Sequence, residues 1–461
     1  MKRTQIKILN ERFADYDGKQ VKVCGWARTI RDSKSIAFIE LNDGAFKGCQ
    51  IVVESGKIAN YAEVVSQLTG ASFEIVGTVV LTPNAKQPYE ISADEIVVAG
   101  TSASDYPLQK KGHSLEFLRE HNYLRARTNT FNAVFRIRSV AAFAIHKFFQ
   151  ERNFVYCNTP IITASDCEGA GSMFQITSLD LDKVAASGKI DYSKDFFGRK
   201  VFMTVSGQID EEPMTHAFCN TYTFGPTFRA EKSNTSRHAA EFWMMEPEMC
   251  FTDLVGLMEN EEEMVKYVIS YVMDNCKDEL EFLNKFVDKE LLERLNNVAN
   301  SDFVRLSYTE AVEILEKVKD KFEFPVYWGV DLQSEHERYL TEVVYKKPVF
   351  LYNYPKDIKA FYMKQNEDGK TVAAVDLLVP GIGELIGGSQ REERLDKLTA
   401  RMNELGLSVE DYAWYLDTRR YGTNVHSGYG LGFERLVMYL TGISNIRDVE
   451  FFPRTVGSIQ G

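Results

Sequence analysis

Arg229 and Glu231 stand two residues apart, so on a β-strand both side chains would leave the same face. A polar run from Glu231 to His238 brings a second guanidinium, Arg237. Strand-like alternation then resumes over Glu241 to Glu246. The pattern predicts two antiparallel strands joined by a mobile loop, with arginine and carboxylate turned into a shared cleft. Phe228 and Phe242 flank the charges, which argues against wholly solvated side chains. Guanidinium forks match phosphate oxygens, so a phosphate ligand suits the arrangement. A surface hairpin with a chance ion pair is the plainer alternative.

Three other stretches could join such a site. Asp376 and Glu384 fall on successive predicted strands beside a glycine cluster and Arg391. Two carboxylates beside glycine-rich backbone make a reasonable magnesium–phosphate site, since magnesium takes one or two carboxylates and fills its shell with water and phosphate. The run SGYGLGFERLVMYLTG predicts a tight glycine turn feeding a helix, with Arg435 in its first turns. Ser206, Gly207, Gln208 and Glu211 end a short strand as a group of small hydrogen-bonding residues, and Asp166 to Ser172 is an acidic, glycine-bearing loop suited to closing over a ligand.

The elements that must hold these residues follow from the patterning. Val21 to Val98 is a series of short β-rich runs broken by Gly, Asn-Asp-Gly and Pro, as in a small closed OB-type barrel. Such barrels stack single-stranded bases on aromatic side chains. Trp26, Arg28, Arg31, Phe38 and Gln50 could serve there, and core positions for Trp26 and Phe38 fit as well. Asp105 to Thr130 crowds Lys110, Lys111, His113, Arg119, His121, Arg125 and Arg127 around Pro107 and Gly112, which reads as a basic hinge, solvated or touching a phosphate backbone. From Thr130 to Asn153 apolar residues recur at helical spacing on a broad stripe, and an edge strand ending near Pro160 follows. Both a dimer interface and an internal core helix fit that stripe. Phe251 to Val298 predicts packing helices with a solvated acidic face.

The 461 residues are enough for two or three domains, and the balance of 54 basic against 66 acidic residues (net −12) argues against a generic polyanion binder. Seven scattered cysteines without a C-x-x-C pair indicate neither a disulfide framework nor a zinc cage. The first residues carry no apolar signal segment, no run could span a bilayer, and a reduced cytosol is the expected compartment.

Together these residues resemble the class II aminoacyl-tRNA synthetases. The wide helix ending at Pro160 is similar to their motif 1, FRAE (Phe228 to Glu231) with Arg237 to motif 2, and GLGFER (Gly430 to Arg435) to motif 3. With the N-terminal barrel the chain resembles subclass IIb, the lysyl, aspartyl and asparaginyl enzymes. VSGQ…E, DCEGAG, WGVDLQSEHERYL, YPKDIKAFY, GGSQREER and RRYGTNVHSGYGLGFERL bring it nearest the asparaginyl-tRNA synthetase family. The resemblance implies an α+β fold, an antiparallel sheet flanked by helices. It implies an OB-fold anticodon-binding domain over residues 1–100, a hinge over 101–130 and a catalytic domain over 131–461, with an acidic helical segment at about 251–320. It implies a homodimer that uses ATP and magnesium to join L-asparagine to tRNA(Asn) through an aminoacyl adenylate.

Residue roles are carried over in the same way. Arg229 would bridge the α-phosphate and the substrate carboxylate, Glu231 read the adenine amino group and Phe242 stack on the base. Arg237 and Arg435 would hold the outer phosphates, His238 complete the ATP site, and Glu384 with Asp376 bind magnesium. Arg229 and Arg435 are the expected catalytic pair. Glu168, Ser206, Gln208 and Glu246 would surround the substrate ammonium, with Arg391 donating to the side-chain oxygen. Aspartyl enzymes carry a lysine where this chain has Glu211. Glu211 would therefore offset Arg391 and accept from an amide, and Glu211→Gln should weaken discrimination more than adenylation. In the barrel Phe38 would stack on the middle anticodon base, with Arg31 and Gln50 beside it. The rival readings are an aspartyl enzyme charging two tRNAs, an asparagine-forming amide ligase and a non-catalytic RNA-binding regulator.

Overall fold

Val21, Val23 and Ala27 are buried along Gln20–Asp32 (β1) while Gln20 and Trp26 are exposed, the period-two signature of a strand with one face in a core. The structure, a computed structural model, describes residues 1–165, 172–233 and 235–459. It divides into two units, Met1–Ala133 and Val134–Gly461.

In the first unit β1, Ile36–Asn42 (β2), Cys49–Glu54 (β3), Ser72–Leu81 (β4) and Tyr89–Gly100 (β5) close into a barrel of order β1-β2-β3-β5-β4. Val23, Ile39, Ile51, Phe73, Ile75 and Ile91 fill it, and closure leaves no open edge. The basic segment that follows differs from a purely solvated hinge. Two short helices, Leu115–Glu120 and Asn122–Arg125, form there, and Arg125 is fully buried with its guanidinium 4.4 Å above the Phe131 ring.

The helix Asn129–Glu151 carries the chain from one unit into the next, burying Val134, Ile137, Ala141, Ile145 and Phe148 along the predicted stripe. Next comes Val155–Tyr156 (β6), an edge strand as expected, and then Ile162–Thr163 (β7), Gln175–Ile176 (β8) and Val201–Met203 (β9), which form a small sheet of their own. The main sheet adds Asn220–Phe228 (β10), Glu241–Cys250 (β11), Val304–Ser307 (β12), Val349–Pro355 (β13), Thr371–Val379 (β14), Gly383–Gln390 (β15) and His426–Gly432 (β16). Its order is β12-β13-β14-β15-β16-β11-β10-β6, antiparallel except for the two outermost pairs. The helix Leu254–Asn275 packs on β14, β15 and β16, and the helix Phe433–Thr441 on β11.

Three local expectations are revised. Strand β10 stops at Phe228, so Arg229 and Glu231 lie in the connecting segment; the Ala230 N–H turns away to the Ser172 carbonyl, which ends the ladder. The glycines of SGYGLG form strand β16, not a turn; they stand at every second residue, and Gly428 and Gly430 face crowding side chains of β11. A Cβ on Gly428 would stand 1.8 Å from Glu248 Oε2. The acidic face of Leu254–Asn275 is not wholly solvated: Glu261 falls in the buried stripe, four residues after Leu257 and before Val265, and is fully buried.

Candidate active site

Strand β11 is the backbone of the site. Phe242, Met244, Glu246 and Glu248 alternate along it, so the period of two puts all four on one face. Across from them β16 presents Gly432 opposite Met244 and Gly428 opposite Glu248, and Gly430 pairs with Gly387 of β15. The result is a row of acidic and apolar side chains beside a floor of glycines, which leaves depth for a ligand.

At the Phe242 end a cleft of about 190 Å³ is lined by Arg229, Glu231, Arg237, His238, Phe242, Glu384 and Arg435 among others. The fold thus collects residues predicted from stretches more than two hundred positions apart. The Arg229 guanidinium lies 5.4 Å from the Phe242 ring centroid. Arg435 Nη1 donates to the Glu384 carbonyl at 2.9 Å, and Arg237 Nη1 to Ser334 Oγ at 3.1 Å. Burial, and next the charge of Arg435, hold Arg237 below its ordinary pKa. Cations crowded in this way are a setting that a polyphosphate suits. His238 Nδ1 lies 2.5 Å from Thr235 Oγ1, and its Nε2 4.0 Å from Glu231 Oε2.

Beside the cleft, Asp376 and Glu384 meet over Gly387. A Cβ there would stand 3.3 Å from both Asp376 Oδ1 and Glu384 Oε1, so glycine keeps open the space between the two carboxylates. Glu337 Oε2 accepts the Glu384 N–H at 3.1 Å, and burial together with the Glu384 charge pushes the Glu337 carboxyl up to about 7. Lys359 Nζ donates to the other oxygen of Asp376 at 2.8 Å. Asp376 Oδ1 and Glu384 Oε1 face each other across the space over Gly387, where a cation would take both as ligands. These residues fit magnesium.

At the other end of β11 the charges are paired and buried. Glu246 accepts from Ser206 Oγ and, at 2.9 Å, from the Gly207 N–H, which fixes the start of the helix Gln208–Phe218. Gln208 Nε2 has no hydrogen-bond partner among the described residues. Arg391 donates from Nε to Glu248 Oε1 at 3.0 Å and from Nη2 to Oε2 at 2.8 Å, with Nη1 on Ser389 Oγ. Burial works against the charge of Arg391, and Glu248 more than restores it, leaving its pKa raised. Behind this pair Glu212 accepts from Arg419 and, at 2.8 Å, from the Tyr415 hydroxyl, while His426 Nε2 lies 2.7 Å from it. Glu212, Glu248 and His426 converge closely enough to hold a metal, but two guanidinium ions already neutralise the carboxylates.

Glu211 lies near enough to Arg391 to feel its charge, but the ion pair with Arg391 is made by Glu248. Glu211 is 1 % exposed, its Oε1 meets no partner among the described residues, and burial with Glu248 and Glu246 nearby pushes its carboxyl well above the usual range. Glu168 lies outside the described residues.

On the barrel, Phe38 is paired with Arg31 across β1 and β2, and Glu40 with Gln50 across β2 and β3, so Arg31, Phe38 and Gln50 share one outward face. The Arg31 guanidinium is 5.8 Å from the half-buried Phe38 ring, and Gln50 Nε2 donates to Glu90 at 3.1 Å. Trp26 is not a core residue. It is 44 % exposed, with Arg127 5.3 Å from its ring.

Residues 114–456 match the family model of class II tRNA synthetases (D, K and N), and residues 21–99 that of the OB-fold nucleic-acid-binding domain. The chain belongs to the class II tRNA synthetases. Among curated relatives, the asparagine–tRNA ligase of Clostridium perfringens is 61 % identical over 99 % of this chain and 98 % of its own length. That of Clostridium kluyveri is 60 % identical over the whole of both. Among solved structures, asparaginyl-tRNA synthetase from Pyrococcus horikoshii complexed with asparaginyl-adenylate superposes over all of both chains with a TM-score of 0.87 at 31 % identity. The Entamoeba histolytica asparaginyl-tRNA synthetase in complex with asparaginyl-adenylate gives 0.82 at 27 % identity, covering 96 % of this chain and 97 % of its own.

Sequence reasoning missed Glu248 in this synthetase site. The signal was present: Glu246 and Glu248 stand two apart on the same strand as Phe242, so a reading that placed Glu246 in the pocket placed Glu248 beside it. Glu337 was missed for a different reason. It joins the site only through tertiary packing of a helix, which its own neighbours in the sequence do not disclose.

Proposed function

We propose that the chain ligates L-asparagine to tRNA(Asn): asparagine and ATP give asparaginyl-adenylate and pyrophosphate, and the acyl group then passes to the 3′-terminal adenosine of the tRNA. One observation carries the choice of amino acid: beyond Glu246 on β11, Arg391 and Glu248 form a buried ion pair that is polar and close to neutral. An amide offers Arg391 an oxygen acceptor and Glu248 a nitrogen donor. Aspartate would meet Glu248 as a like charge, and the lysine ammonium would meet Arg391 as one. The full-length identity with asparagine–tRNA ligases supports the same reading.

The residues divide the reaction between them. Phe242 stacks on the adenine and Glu231 accepts from its amino group, with His238 at the loop. Arg237 and Arg435 hold the outer phosphates, and Arg229, at the cleft wall, holds the α-phosphate and the amino-acid carboxylate together. Glu246, with Ser206, Gln208 and Glu168, receives the substrate ammonium. A carboxylate oxygen of asparagine then attacks the α-phosphorus in line, the bond to the bridging oxygen breaks, and pyrophosphate leaves with the electron pair. No proton moves in this step, so catalysis rests on positioning and charge stabilisation by arginine. Asp376 and Glu384 would hold magnesium, which when bound supplies further charge neutralisation to the phosphates.

Arg31, Phe38 and Gln50 form the anticodon-reading face, for which one outward-facing aromatic flanked by a cation and an amide is suited. Val155 and Tyr156 of the edge strand β6, with Ile161 and Ile162, expose apolar surface that a second copy of the chain would cover, which supports a homodimer. Among the described residues no helix is long and apolar enough to cross a membrane, and we place the enzyme in the cytosol. Amino-acid-dependent ATP–pyrophosphate exchange tests the reading: asparagine should support exchange, with aspartate and lysine lower by roughly 10⁴ or more. Equal exchange with aspartate would overturn it.

A further inference from the structure

Glu434 precedes the phosphate-side arginine in sequence, yet its carboxylate is turned away from solvent and is 2 % exposed. Its Oε2 accepts the backbone N–H of Trp243 at 2.8 Å, and its Oε1 accepts from Arg138 Nη2 at 2.6 Å. The location explains the first bond. Strand β16 ends at Gly432, opposite Met244 of β11, so past that register β11 loses its neighbour on this side. The Trp243 N–H is the next donor, and a carboxylate from the following helix takes the place of the missing strand. Trp243 sits between Phe242 and Met244, both of which line the cleft.

The second bond ties this splint to a distant element. Arg138 belongs to the helix Asn129–Glu151. Its guanidinium packs 4.6 Å from the Phe433 ring centroid, and Nη1 donates to the Val449 carbonyl at 3.3 Å. The carboxylate is therefore held from one side by the long helix and holds, on the other, the main chain that aims Phe242.

We infer that Glu434 and Arg138 are positioning residues for the nucleotide: Glu434 fixes β11 at Trp243 so that Phe242 stands at the base, and Arg138 fixes Glu434, so that the long helix sets the affinity for ATP. The inference rests on the proposed role of Phe242. It does not extend to the amino-acid pocket, because Glu246 and Glu248 lie further along β11, where β16 pairs with it.

Arg138→Met keeps the stem over Phe433 and removes the charge; Glu434→Gln sets an amide NH₂ against the guanidinium. In pyrophosphate exchange by the full-length enzyme, each should raise the KM for ATP about tenfold and leave the KM for asparagine within about twofold. Combining them should add no more than about another twofold, since both break one unit. Arg138→Lys should recover most of the loss, and where Arg138→Met does not fold, a rise of about threefold in ATP KM for the lysine variant is the expected sign. The inference is overturned if both KM values rise together, if thermal stability falls with both KM values unchanged, or if the two effects multiply. Phe242→Ala with an unchanged ATP KM would instead overturn the stacking role on which the inference rests.

Discussion

The two ends of strand β11 handle charge in opposite ways. At the Phe242 end, Arg229, Arg237 and Arg435 line an open cleft, and Arg237 is pressed below its ordinary pKa by burial and by Arg435. At the Glu248 end, Arg391 and Arg419 are almost fully buried, and each is met by a carboxylate of its own. The first arrangement lies open to an anion, and on the proposed reading it would draw binding energy from one. The second is complete before any ligand arrives, so it adds little attraction and discriminates by what it would have to break. A reaction that needs ATP held tightly and one amino acid chosen from near-identical shapes calls for both.

The most damaging way to break the comparison is at the open end. Arg435→Ala removes a cation aimed at developing charge and should lower pyrophosphate exchange by about 10²–10³. Because this side chain is 37 % exposed, the melting temperature should barely move. A large loss of stability with intact exchange would mean that the cleft arginines are structural after all.

At the complete end the same kind of change should act the other way round. Glu248→Gln leaves Arg391 buried without its counter-ion, which costs about 3–5 kcal/mol of stability. Selectivity for asparagine over aspartate should fall with it, measured as the ratio of kcat/KM values. Glu211→Gln leaves the Arg391–Glu248 pair intact and should leave that ratio unchanged. If Glu211→Gln lowers the ratio and Glu248→Gln does not, the charge balance has been assigned to the wrong carboxylate.

That pair also shows where the sequence stopped being legible. The barrel, the long helix, the hairpin and the roster of cleft residues could be read from alternation and motif spacing, because each is a local pattern. Which carboxylate meets Arg391 could not. Glu211 and Glu248 come from a helix and a strand, and only their packing decides which makes the ion pair with the guanidinium. The glycines of β16 misled for a related reason. A glycine at every second residue signals one strand face kept bare, but without knowing that Glu248 and Met244 crowd that face, a turn is the simpler reading.

The barrel offers a milder contrast with the catalytic unit. On the proposed reading Phe38 is a stacking platform, worth about 1–3 kcal/mol per base, so Phe38→Ala should raise the KM for tRNA roughly tenfold while asparagine-dependent exchange stays as it was. Equal losses in both would point to misfolding rather than to a lost base contact.

Glu261 sharpens the comparison most gently, as a charge site that is neither paired nor facing a ligand. It is fully buried behind β15, and neither carboxylate oxygen meets a partner among the described residues. Burial first, and the charge of Asp376 second, raise its pKa well above the ordinary 4.5. A group raised on folding favours the folded state while both states are protonated, and that advantage is lost as pH climbs from 4.5 towards the raised value. The native protein should therefore lose stability over this range, and Glu261→Gln, which cannot ionise, should not. In calorimetric scans the variant should match the native protein at pH 4, and its melting temperature should lie progressively higher as the pH climbs above 4.5. A gap that does not change with pH would mean that the carboxyl has found a partner, and that this third environment is a paired one like the pocket it lies behind.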